Sequence, residues 1–139
     1  MDHQDKESPF KQVLKHKEKA IKTQSAKAKG RKLQQWFRDQ IIGSFSFSRS
    51  DVRSTSMGAG GEDIQFSQEV GDQLGISVEC KSRESIAVYA FYSQAAENGP
   101  EGRQPVVGVK QSQSKPLAVI DAEYFVTLLK GTNETLDNS

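Results

Sequence analysis

The chain has 139 residues, the size of about one domain, with 27% charged and 35% hydrophobic residues and a mean hydropathy of −0.65. No apolar run approaches the ~18 residues that span a bilayer, and no apolar signal core opens the chain. A single cysteine excludes an internal disulfide, so a reducing, cytoplasmic location with no membrane association is expected.

The net charge of +1 conceals an asymmetry: through Lys32 there are ten Lys or Arg against four Asp or Glu, and beyond it nine against fourteen. Residues 1–26 are rich in lysine and poor in core formers, and read as a basic arm, either flexible or helical. From Lys27, Leu33, Trp36, Phe37 and Ile41 recur at helical spacing, with Gln34, Gln35, Arg38 and Asp39 off that stripe. This predicts the first helix of a domain spanning 27–131, with Trp36 and Phe37 in its core, their shared stripe with Leu33 and Ile41 favouring that over a base-stacking platform. The Ser- and Gly-rich run that follows predicts a loop, preceded by a short strand at Phe45 to Phe47.

Asp63 to Phe66 reads as a strand, residues 67–75 as a hairpin-like connection, and Gly75 to Ser82 as a second strand. Glu84 to Asn98 has the length and alanines of a helix, with Glu84 near its positive end. Two short strands, "PVVGVKQ" and "PLAVIDAE", precede a closing helix with Gly131 as its stop and a disordered tail over 132–139. Helix, strands, helix, strands, helix is the order of a mixed α/β sheet with helices packed on it.

The strand "GISVECKS" places Ile76, Val78 and Cys80 on one face and Ser77, Glu79 and Lys81 on the other, so one face is expected to be core and the other a site. A hairpin pairing would bring Asp63 close to Glu79. Two converging carboxylates are the hard oxygen ligands that Mg²⁺ or Mn²⁺ takes, with water and phosphate filling the other positions. Lys81 would stand beside them, where an ammonium can orient water or stabilise charge growing on phosphorus. That is an arrangement for hydrolysing a phosphodiester; the bland alternative is a solvated Glu-x-Lys strand face with an unrelated aspartate upstream. Cys80 reads as a small core residue, not a nucleophile. His3 and His16 lack the company of a zinc site, and "GAGGED" leads into a strand without the Gly-Lys-Ser/Thr of a P-loop.

In order, "KGRKLQQW", "VRSTSMGAGGEDIQF", "ISVECKS", "YSQAAEN" and "PVVGVKQ" resemble the PD-(D/E)XK nuclease superfamily, most closely the small Holliday junction resolvases of archaeal and phage type. The resemblance covers roughly residues 27–130. It implies a restriction-endonuclease-like mixed β-sheet flanked by helices, here with a basic N-terminal arm. It matches Asp63 to the motif aspartate and Glu79 and Lys81 to the (D/E)XK pair, adds the Cys80 carbonyl to a Mg²⁺ shell that Mn²⁺ can also fill, and matches Ser54 and Ser56 to a loop that approaches the scissile phosphate. Gln94 and Lys110 fall where such enzymes place polar residues near the phosphate. A homodimer is implied, and the host cytoplasm is the location if a phage carries the gene. Similar resolvases carry a glutamate where this chain has Gln34, a residue that can position water but adds no charge.

Lys11 to Lys32 holds nine basic residues and one acidic, a run that attracts phosphates in any sequence context, the bland alternative being a solvated tail. Lys29, Arg31 and Lys32 are expected to touch DNA, with Arg53 and Arg83 holding the backbone nearer the metal. The expected function is a metal-dependent, structure-selective endodeoxyribonuclease acting on branched or duplex DNA. A less selective DNase, or a non-catalytic DNA-binding module on the same fold, is the alternative.

Overall fold

Ser8 and Pro9 start the first helix as their chemistry dictates: the Ser8 hydroxyl accepts from the Lys11 amide at 3.3 Å, and proline occupies a first-turn position that needs no donor. In the computed structural model, which describes residues 8–55 and 61–137 and only the backbone of 18–24 and 132–137, this helix, α1, runs unbroken over Pro9–Phe45. From Pro9 on, the arm and the first helix expected to begin at Lys27 are therefore one element; residues 1–7 of the arm lie outside the described residues. Its described side chains are exposed as far as Lys27, whereas Leu33 and Gln34 are buried and Phe37, Ile41 and Ile42 pack on the core.

The strand expected at Phe45 to Phe47 does not form. The helix continues through Phe45, Ser46 turns it off in the left-handed region (φ 57°), and the Phe45 and Phe47 rings stack across the turn at 5.3 Å. The first strand is β1 (Val52–Ser54), followed by β2 (Ile64–Phe66). Residues expected as a hairpin-like connection form a helix instead, α2 (Gln68–Leu74). Ser67 caps it by accepting from the Val70 amide at 3.4 Å, and Gly75 closes it at φ 67°, a conformation that favours glycine.

β3 (Ile76–Ser82), α3 (Val88–Asn98), β4 (Gln104–Lys110), β5 (Leu117–Val119) and α4 (Ala122–Asp137) complete the fold. Glu84 lies outside α3, which starts at Val88, and is tied instead to Ser112. α4 passes through Gly131, which lacks the left-handed backbone of a helix stop, so residues 132–137 are helical where a disordered tail was expected.

The five strands form one mixed sheet in the order β1-β2-β3-β4-β5. β3 and β4 are parallel, from Ile76 opposite Gln104 to Ser82 opposite Lys110, with α3 as the crossover between them; the other pairs are antiparallel. The α/β architecture is thus as expected.

Helices cover both faces of the central strands. On one, α1 closes a core of Leu33, Val52, Ile64, Val70, Val78 and Cys80; on the other, Ala95 of α3 meets Val107 and Val109. Burying each of Ile64, Val52, Val78 and Val107 contributes roughly 1.5–3 kcal/mol. Two-sided cover corrects the expectation of one core face on β3: Ser77, Val78, Glu79 and Cys80 are all buried. No helix among the described residues is long and apolar enough to cross a membrane.

Candidate active site

Asp63 lies immediately before β2, at a point where the β2–β3 ladder has a single registered pair, Ile64 opposite Val78. The Asp63 amide donates to the Val78 carbonyl at 3.0 Å, so two consecutive residues face one residue of β3. Such a bulge re-aims a side chain. The Asp63 carboxylate turns onto β3, and its Oδ2 accepts from the Cys80 amide at 2.7 Å. From α1, the buried Gln34 side chain reaches the same carboxylate with a hydrogen bond.

Glu79 and Lys81 follow the alternation of β3. The Lys81 ammonium sits 3.8 Å from Glu79 Oε1 and 5.5 Å from the centre of the Phe91 ring of α3. Glu79 is 6% exposed, and its other oxygen, Oε2, is buried with no hydrogen-bond partner among the described residues. An anion in that position is stabilised only by what else approaches it.

The electrostatics agree with the geometry. Burial, followed by repulsion from Asp63, holds the Glu79 carboxyl above the usual range, against Lys81 and the Asn98 side chain, which pull it down. Burial likewise raises Asp63, opposed by the Cys80 amide, Lys81 and Gln34. Two acids that resist ionisation side by side form a site that favours added positive charge. Cys80 itself is buried and its thiol is pushed far up, first by burial and then by the two carboxylates, which leaves it a core residue.

The structure brings Gln34, Asp63, Glu79, Lys81 and the Cys80 backbone together, and sets the other expected residues apart. Ser54 is opposite Ile64 on the α1-facing side, within 3.5 Å of the Arg38 guanidinium; Ser56 lies outside the described residues. Arg31, Arg53, Arg83 and Gln94 are exposed, and Arg83 donates to the Ser82 carbonyl at 3.0 Å. Lys110 pairs in register with Ser82 and lines, with Lys29 and Lys32, a cavity on the α1 face.

Compared with known proteins, the chain matches no family model, no curated protein and no solved structure. Among the described residues no three His, Cys, Asp or Glu converge as a metal cluster.

Two participants escape a reading of the sequence. Asn98 reaches Glu79 and Phe91 underlies Lys81, both from α3. Phe91, Ala95 and Asn98 have the i, i+4, i+7 spacing of one helix face, so the signal that marks Ala95 as core marks Asn98 as its neighbour.

Proposed function

We propose that the chain is a metal-dependent endodeoxyribonuclease of the PD-(D/E)XK kind, selective for branched DNA and acting as a junction resolvase. The observation that carries this reading is the bulged Asp63 carboxylate against Glu79 and Lys81 on β3, with one buried Glu79 oxygen unpartnered among the described residues. Hard oxygen donors, buried and mutually repelling, fit a divalent cation of the Mg²⁺ or Mn²⁺ type, which takes one or two carboxylates and completes its shell with water and phosphate. Asp63, Glu79 and the Cys80 carbonyl would hold it, and the bound ion would supply Lewis acidity at the phosphate.

The chain's own groups do the rest. Gln34 and the Cys80 amide fix the orientation of Asp63, Lys81 presents positive charge where phosphorus gains negative charge, and Phe91 holds that ammonium in place. The parallel β3–β4 pair with its α3 crossover, beside the antiparallel β1–β2–β3 run, supports the same fold reading. Exposed Arg31, Arg53, Arg83 and Gln94 are available to the DNA backbone. Support for a homodimer comes from α4, where Phe125, Val126 and Leu129 are exposed. A cytoplasmic setting belongs to the same proposal.

The test is cleavage of labelled four-way junction, flap, duplex and single strand, each with Mg²⁺, Mn²⁺ or chelator. Metal-dependent cutting strongest on the junction is the expected result, and equal cutting of all substrates would replace the resolvase with a general DNase. A second reading, a DNA-binding module without chemistry, is favoured by Gln34, which stands beside Asp63 without a charge. Tight junction binding with no cutting under any metal would establish it.

A further inference from the structure

Across the sheet from Lys81, α1 and the ends of β3 and β4 enclose a cavity of about 590 Å³, within the roughly 300–1,000 Å³ of small-ligand sites. Lys29 and Lys32 border it from α1 and Lys110 from β4, with Ser82 and Ser112 also in its lining. Trp36 forms part of its wall and is 42% exposed, not the core residue its spacing suggests.

That ring is held in place. It meets Phe37 edge-on at 5.0 Å, and Phe37 lies so close over Gly108 of β4 that no side chain fits there. The rim is held too: the Lys29 ammonium lies 3.3 Å from the Ser112 hydroxyl, and Ser112 donates through its hydroxyl and its amide to Glu84. Glu84 is the carboxylate that faces Lys29 and Lys110, and Lys32 borders the cavity as a third ammonium group. The cavity retains a net positive charge beside an exposed aromatic face.

We infer that this cavity binds a nucleotide, its base stacked on Trp36 and its phosphate held by Lys29, Lys32 and Lys110. Phosphate alone would leave the indole unused, and an apolar ligand would leave the three ammonium groups at the rim without a counter-charge of its own. A paired base is closed on both faces by its neighbours in the stack, so the nucleotide is a free one or an unpaired one in a strand. The site does not depend on chemistry at Glu79, from which the sheet separates it.

Trp36 is the single tryptophan, so all tryptophan emission comes from a residue in this cavity's wall. Titration of the full chain in chelator with thymidine 3′,5′-bisphosphate, an octathymidylate and a blunt duplex is the test. Saturable quenching by the bisphosphate or the octamer, competed by inorganic phosphate and weakened at least about tenfold in the Lys32→Gln/Lys110→Gln double variant, is the expected result. Equal affinity for both would identify a free nucleotide as sufficient; preference for the octamer would identify a strand. No quenching by either, unchanged affinity in the double variant, or equal quenching by the blunt duplex would overturn the inference. Glu79→Gln should quench normally, and quenching without any nuclease activity would leave this site standing while the nuclease reading fails.

Discussion

The two faces of β3 and β4 carry opposite charge by opposite means. On the α3 side, Glu79 is 6% exposed and repelled by Asp63, so its charge opposes folding. On the α1 side, Lys29 and Lys32 are exposed and keep their hydration while bordering a cavity. Strand alternation puts the two environments on neighbouring residues, Lys81 and Ser82, with the sheet between them. Burial makes the first face demanding about its partner, because an unpartnered buried carboxylate oxygen is stabilised by a cation and by little else. Exposure makes the second face permissive, attracting phosphates through field and contact without a large desolvation cost.

The contrast breaks most visibly at the buried face. Asp63→Asn, Glu79→Gln and Lys81→Ala should each lower cleavage by roughly 10²–10³-fold or more while circular dichroism shows the fold intact. A Glu79→Gln protein that cuts at the wild-type rate would remove the site.

Gly108→Ala tests the packing that separates the two faces. Its methyl would enter the Phe37 ring, and the displacement should destabilise the chain by about 1–3 kcal/mol in a denaturant titration. Because Phe37 supports Trp36 edge-on, the emission maximum of the variant should shift as well.

The acids predict a pH dependence without metal. Native Asp63 and Glu79 bind protons more strongly than the unfolded chain does, so stability is greatest in and below the ordinary carboxylate range and is lost as pH rises through the raised native values. Melting temperatures measured in chelator should therefore fall over that interval, Glu79→Gln should flatten the fall, and Gln34→Glu should steepen it. Mg²⁺ should reverse the trend, with a lower midpoint for Gln34→Glu than for the wild type. A Glu79→Gln protein with an unaltered melting profile against pH would show that the carboxylate is solvated.

The smallest effect belongs to the exposed lysines. Deleting residues 1–26 removes Lys6, Lys11, Lys15, Lys17, Lys19 and Lys22. The slope of log affinity for duplex against log salt should flatten by roughly 0.9 for each phosphate that the shortened chain leaves unneutralised, with cleavage at saturating protein unchanged. An unaltered slope would make the arm a solvated tail.

Strands β2 to β5 and the pairing of β2 with β3 were legible because alternation and hydrophobic spacing are local signals, whereas β1 was read as loop. What escaped was set by contacts distant in sequence. Residues 67–75 have a serine cap and a terminal glycine, but the helix between them is only seven residues and too short to show a period. Trp36 shares a stripe with Leu33 and Phe37, yet only the position of β4 and the loop after it decides that it borders a cavity. The bulge at Asp63 has no sequence signature, and without it the carboxylate would not be aimed at the Cys80 amide.

α1 is far longer than the sheet it covers: 37 residues at about 1.5 Å each make a rod of roughly 55 Å. The described side chains before Ala28 are exposed, so the turns that carry them draw no stability from the core and are held by backbone propensity and the Ser8 cap. Nucleation costs it nothing, since the buried turns around Leu33 already supply the seed. Against that, Lys11 and Lys15 stand one turn apart with like charge, a spacing that disfavours helix by roughly 0.2–0.5 kcal/mol per pair. A polyanion laid along these turns would remove the repulsion and make a rod that is already helical from Pro9 harder to fray. The reach of the basic end is thus a length fixed by the helix, while its resistance to fraying depends on the charge it meets.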